Sequence, residues 1–186
     1  MTNQTYFRSR ARITGVVYLL YFLLAIVAQF LVGRGFAAYG LAVNLLANVS
    51  YIALTLLLYV LFKPVNKSLS FLAALLSLMG CGITLLDLFH VAPSHVSPLA
   101  FFGPYCLLIG YLIIRSTFLP RILGVLMILA GLGWLFFLSL PLNSPLIRYM
   151  EALGIVAEGL LMLWLLVLGV NEQRWKEQAI HSGMQT

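Results

Sequence analysis

In a chain of 186 residues, hydrophobic side chains make up 62% and charged ones 9%, a balance that no water-soluble core of this size can hide. A soluble globular domain is therefore excluded, and the expected fold class is all-α, a polytopic membrane protein. The net charge of +6 raises nucleic acid as a partner, but the basic residues sit singly or in pairs at the ends of apolar runs, where they orient helices in a lipid bilayer instead.

A bilayer core is crossed by roughly 20 apolar residues in a helix, and six runs qualify: about 13–33, 40–62, 68–89, 98–114, 120–140 and 146–169. The reading is one six-helix transmembrane domain over residues 1–186, with 170–186 as a cytoplasmic tail. The start "RSRARITGVVYLLYFLLAIVA" has the flank and apolar run of a signal peptide. Its run is long and lacks a small-residue cleavage site, which points to an uncleaved first span. On that span Thr14, Tyr18, Tyr21, Ala25 and Gln29 recur at helical spacing.

The second span carries the clearest polar stripe. Asn44, Asn48, Tyr51, Thr55 and Tyr59 recur at steps of four, three, four and four, which keeps them within about 80° of one another at about 100° per residue. "FKPVNKSLS" (62–70) then breaks the chain at Pro64. The third span offers Ala73, Ser77, Gly80 and Thr84, and the next step reaches Asp87. Lipid penalises such faces, so they are expected to point inward.

"DLFHVAPSHVSP" (87–98) follows at the outer end. Asp87 and His90 are one helical turn apart, His95 lies on the loop, and Glu151 of the sixth span is the fourth group of a possible zinc set. The spacing matches no named metal motif, and the alternative is a pair of solvated interfacial histidines. No cofactor is predicted otherwise. Cys81 and Cys106 lie inside apolar runs and suggest buried small residues, neither a disulfide framework nor a thiolate metal site.

In the fourth and fifth spans Gly103 and Gly110, then Gly124 and Gly131, each recur at seven, a spacing that lets two helices approach closely. "STFLPRILG" (116–124) joins them, with Pro120 suited to a first helical turn. "RILGV" (121–125) echoes "RITGV" (12–16). The two helices run parallel, so this is no inverted repeat, and it reads as two similar ways of starting an outward helix.

The sixth span, "RYMEALGIVAEGLLMLW" (148–164), carries three of the chain's few charges. Arg148 and Glu151 lie in its outermost turns, where a one-turn ion pair and snorkelling suffice. Glu158 is ten residues on, about 15 Å deeper and near the bilayer midplane. A carboxylate there costs at least about 2.5–3.5 kcal/mol, so a functional role is the default hypothesis. No lysine or arginine lies at its depth, and its expected partners are hydroxyls such as Tyr21, Tyr51, Thr55 or Ser77. The bland alternative is a neutral carboxyl that joins helices by hydrogen bonds. After the span, Glu172, Arg174, Trp175, Lys176 and Glu177 read as an interfacial anchor entering a polar tail.

By side, Arg8, Arg10, Arg12, Lys63, Lys67, Arg115, Arg121, Arg174 and Lys176 face one way, against Arg34 and Arg148 the other. That bias puts both termini in the cytoplasm.

Four stretches, "ARITGVVYLL" (11–20), "LFKPVNKSLSFLAALLSLMGC" (61–81), "FFGPYCLLIGYLIIRSTFLPRILGVLMILAGLGWL" (101–135) and "AEGLLMLWLLVLGVNEQRWKEQA" (157–179), together resemble the domain-of-unknown-function family 4386 (DUF4386). Glu158 stands in that family's "GE" or "EG" position. The resemblance implies a multi-pass protein of the bacterial plasma membrane with six helices, and no activity. Many members carry histidine where this chain has Tyr105, so an imidazole mechanism at that position does not transfer.

Three functions compete. A small-molecule or ion-binding transporter would use the inward stripes around Glu158, with Asn44, Asn48, Tyr51, Thr55, Tyr18, Tyr21, Ser77, Asp87, Glu151 and Arg148 as cavity or ligand candidates. A non-catalytic scaffold would bind another membrane protein or a second copy, as a homodimer. A metal-dependent enzyme would act on a lipid through Asp87, His90, His95 and Glu151 at the outer face.

Overall fold

The computed structural model describes residues 4–91, 97–138 and 146–182. Among the described residues there are seven helices and no strand: α1 (Gln4–Gly33), α2 (Ala37–Phe62), α3 (Lys67–Leu88), α4 (Leu99–Arg115), α5 (Arg121–Phe137), α6 (Leu146–Val167) and α7 (Glu172–His181). Four are long and apolar enough to cross a membrane, within Ala11–Gly33, Ala37–Phe62, Lys67–Leu88 and Arg148–Val167. The helices of the fourth and fifth runs have 17 residues each, short of the roughly 20 that a bilayer core asks for. Pro98 and Ser116 bound α4, and the expected end of the fifth run at 140 lies outside the described residues.

Local chemistry sets the other boundaries. α2 stops at Phe62, just before the buried Pro64. α3 starts where the Asn66 side chain accepts from the Leu69 amide at 3.0 Å. Pro120 sits one place outside α5, at its N-cap. α6 ends where the amides of Leu168 and Gly169 both turn back to the Trp164 carbonyl at 2.9 Å, with Gly169 at φ +70°, a left-handed conformation that glycine adopts without a side-chain clash.

Each of the first six helices packs against its neighbours in sequence, and α6 closes on α1 to complete a ring. Tyr18, Leu54, Ala73, Ile109, Met127 and Leu161, one from each helix, belong to a single buried cluster. The outward faces are apolar as well: Ile26, Val49, Ile122 and Ile155 are about 60% exposed. Exposed apolar side chains on four helices of the ring are what a lipid-facing surface requires and what a soluble protein avoids.

Glycines set the two tightest seams. A methyl group on Gly110 would stand 2.6 Å from the Gly124 carbonyl oxygen, and one on Gly124 would stand 2.6 Å from that of Gly110. Gly103 and Gly131 face each other in the same way one level further along, so the expected packed pair is α4 with α5. Gly15 lies directly on the backbone of Leu165 and Leu166, which lets α1 and α6 close the ring. The echo of "RITGV" in "RILGV" thus has a packing cause, since Gly15 and Gly124 both mark close helix crossings.

The segment after α6, expected as a polar tail, is helical over Glu172–His181. It folds into α7, capped by Asn171, whose side chain accepts from the Arg174 amide at 3.1 Å. Trp175 is buried and its Nε1 donates to the Leu61 carbonyl at 2.9 Å, so this tryptophan ties α7 to the end of α2. Unpaired carbonyls at a helix end need donors, and the indole supplies one.

Candidate functional site

Glu158 sits on the inner side of α6, with Ala157 and Leu161 fully buried beside it. Its Oε2 accepts a hydrogen bond from the Tyr18 hydroxyl at 2.9 Å. A hydroxyl partner is what the sequence leads one to expect, and Tyr18, a stripe residue of the first span, supplies it in place of the examples Tyr21, Tyr51, Thr55 and Ser77. The Gly15 contact with Leu165 and Leu166 holds α1 closely against α6, and across that seam the Tyr18 hydroxyl reaches the carboxyl.

Other partners stand around this pair without bonding to it. Tyr21, Tyr51, Tyr105 and Cys106 all lie close enough to the Glu158 carboxyl to interact electrostatically. The rings form a continuous cluster: Tyr18 to Tyr21 at 6.4 Å, Tyr21 to Tyr51 at 4.7 Å, and Tyr51 to Tyr105 at 6.4 Å between centroids. The glycine face of α4 is occupied by α5, which turns Tyr105 and Cys106 toward the centre, both buried.

Thr55 and Ser77 form a separate contact. Their hydroxyls are 2.6 Å apart, and Thr55 also donates to the Tyr51 carbonyl at 2.9 Å. This pair joins α2 to α3, and both side chains are buried.

Beyond the aromatic cluster, toward the far ends of α1 and α2, lies a cavity of about 180 Å³. Tyr21, Gln29, Asn44, Asn48, Tyr51 and Thr84 supply its polar lining, with Cys81 and Phe102 completing the wall. Asn44 donates to the Gly40 carbonyl at 3.1 Å and Thr84 to that of Gly80 at 3.0 Å, each within its own helix. Asn48 is different. It is 6% exposed, its Nδ2 donates to the Cys81 carbonyl at 3.2 Å, and its Oδ1 has no hydrogen-bond partner among the described residues. A buried acceptor without a donor is costly, and it marks where a ligand's N–H, O–H or cation would be welcome.

Three of the candidates do not join this site. Asp87 is exposed in the last turn of α3; the inward stripe ends one step earlier at Thr84, where the helix reaches the end of the ring. Arg148 and Glu151 are exposed in the first turns of α6, and no ion pair joins them, the Lys176–Glu172 pair at 2.8 Å being the one found among the described residues. Both lie too near the helix end to reach the interior.

The proposed metal set fares similarly. His90 is exposed and ends the α3 turn at φ +58°, and His95 lies outside the described residues. α3 packs on α2 and α4, α6 on α5 and α1, so Glu151 belongs to a different part of the ring. Among the described residues no three His, Cys, Asp or Glu side chains come together in a way that could hold a metal ion.

Residues 83–169 match the family described as Domain of unknown function (DUF4386), a region that contains α4, α5 and Glu158 but not the earlier resembling stretches at 11–20 and 61–81. An uncharacterized protein of Archaeoglobus fulgidus is 31% identical over 124 residues, covering 60% of this chain and 72% of the relative. The likeness therefore extends to an archaeal protein as well as the bacterial ones that the resemblance implied. No solved structure matches the chain. With the matched region spanning the paired glycine helices and Glu158, the chain belongs to the DUF4386 family.

Proposed function

We propose that this protein is a small-molecule or ion-binding transporter, a single domain with six spans in a bacterial plasma membrane and both termini in the cytoplasm. The observation that carries this reading is the cavity lined by Asn48, whose buried Oδ1 has no donor, next to an aromatic cluster that ends at Glu158. Tyr21 and Tyr51 belong to both the cavity wall and the surroundings of the acid. A solute held at Asn48 and a proton or cation held at Glu158 would thus share two side chains, which is the arrangement that coupling between two sites requires. The charge bias of nine basic residues against two supports the orientation.

The test uses liposomes carrying the purified protein and a trapped pH-sensitive dye. Sodium, potassium, small alcohols and amino acids are presented outside in turn. At least one of these probes is expected to move protons in the wild type, and Glu158→Gln is expected to abolish that response while leaving the thermal midpoint in place. A response unchanged in the variant would sink the transport reading.

A second reading, a non-catalytic bundle that binds another membrane protein or a second copy of itself, draws on a different observation. Tyr18 already satisfies Glu158 at 2.9 Å, and Asn44, Thr55 and Thr84 are bonded within their own helices. Interior polar groups serving only as glue predict that Glu158→Leu is tolerated and that no small molecule raises the thermal midpoint.

A further inference from the structure

At the opposite end of the bundle from the Asn48 cavity, the turn between α4 and α5 and the side of α7 enclose a pocket of about 550 Å³. Three arginines line it, Arg115 from the last turn of α4, Arg121 from the first turn of α5 and Arg174 from α7, together with Thr117 and Gln178. No acidic side chain does. We propose that this pocket binds the phosphate of an anionic phospholipid, independently of the transport reading.

The pocket is held in shape by the chain itself. Gln178 accepts from the Thr117 amide and hydroxyl at 3.2 Å and donates to the Arg115 carbonyl at 3.3 Å. Arg174 donates from Nη1 to the Thr117 carbonyl at 3.3 Å, using one of the five donors that a guanidinium carries. Arg115 and Arg121 are exposed and make no side-chain hydrogen bond or ion pair among the described residues. The nearby acid is Glu177, which with Arg174 and His181 lines the adjoining depression; Glu172 is paired with Lys176 at 2.8 Å.

Three like charges gathered without a counter-ion repel one another, and a phosphate oxyanion relieves this while matching the planar fork of each arginine. Basic pockets beside membrane helices hold anionic headgroups for this reason. The surroundings favour a lipid over free phosphate. Val65, Ile114 and Leu119 form the pocket's apolar wall, and Tyr111, Ile122 and Val125 are exposed on α4 and α5 immediately beyond the arginines. A headgroup seated here would lay its acyl chains along that apolar face.

The test titrates the detergent-purified full chain with water-soluble short-chain phosphatidylglycerol and with phosphatidylcholine of the same chains, read by lipid occupancy in native mass spectra. Phosphatidylglycerol is expected to bind about tenfold or more tightly than phosphatidylcholine. Arg121→Gln should erase most of that preference, and Arg121→Lys should restore part of it, because charge returns without the bidentate fork. Lys67→Gln, an equal loss of charge at the exposed start of α3, should leave the preference intact. The proposal is overturned if the wild type shows no preference, or if Lys67→Gln loses as much as Arg121→Gln, since diffuse charge would then explain the binding. Inorganic phosphate displacing the lipid at equal concentration would assign the pocket to free phosphate and overturn the lipid. The wild-type titration and the phosphate competition need no variant, so a poorly folding substitution leaves both decisive.

Discussion

The α4–α5 seam and the interior between α1, α2, α3 and α6 solve one problem in opposite ways. Lipid tails are as apolar as leucine, so helices in a membrane gain little from hydrophobic burial and must associate through close packing or hydrogen bonds. Along α4–α5 the chain removes side chains, and Gly103, Gly110, Gly124 and Gly131 let the two backbones meet. Across the other helices it adds polar groups: Glu158 with Tyr18, Thr55 with Ser77, Asn48 with the Cys81 carbonyl. The steric seam leaves no space, whereas the polar interior leaves a cavity and an acceptor without a donor. Slack of that kind is where a ligand can act, and the seam is the frame that holds it.

The most damaging way to break this comparison is to crowd the seam. Gly110→Ala and Gly124→Ala each place a methyl group 2.6 Å from a facing carbonyl oxygen, and overpacking against backbone costs about 1–3 kcal/mol. The double variant should lose less than the sum of the two, because the first methyl separates the helices and makes room for the second. Gly82→Ala and Gly159→Ala, whose added methyls meet nothing within 4 Å, should be neutral or slightly stabilising. Thermal midpoints in detergent read all of these together. Equal losses at seam and open positions would show that helix propensity alone governs the result and that the close approach does not matter.

A smaller effect is expected at the lock between α7 and α2. Trp175→Phe keeps most of the buried ring but removes the donor to the Leu61 carbonyl at 2.9 Å, a loss of about 1 kcal/mol. Limited proteolysis should then cut within Glu172–His181 faster than in the wild type. Unchanged cleavage would mean that the Asn171 cap and the Gln178 bonds to the α4–α5 turn hold α7 without the indole.

The sequence carried the seam and the stripes clearly, because both are periodic. Four glycines at sevens and five polar residues at helical steps survive any uncertainty about helix ends. What it carried poorly was register. Nothing local says that α1 closes on α6 at Gly15, nor which of the inward hydroxyls, Tyr18, Tyr21 or Tyr51, reaches Glu158. Tyr105 was obscured for a related reason, since its position opposite the glycine face points inward only once α5 is known to cover that face. The α7 helix is another matter. Asn171 as a cap, Glu172 in the first turn, His181 in the last and Glu172 four residues before Lys176 are all helix signals. They were outweighed by the polar composition that also marks a tail.

The smallest expected effect is also the one that divides the readings of Glu158. Tyr18→Phe removes the hydroxyl that the carboxyl accepts from at 2.9 Å, and Glu158→Leu removes the acceptor. A double-mutant cycle on the two isolates their coupling. Side-chain hydrogen bonds between membrane helices average about 0.6 kcal/mol and reach about 1.7 kcal/mol. A coupling near the upper figure would mean that the pair exists to hold α1 against α6, which serves the scaffold reading. A coupling near zero would leave a costly acid inside an apolar bundle that contributes nothing to stability through its hydrogen-bond partner, and such a group then calls for a ligand. The polar interior would in that case differ from the glycine seam in purpose as well as in chemistry, one being kept for binding and the other for shape.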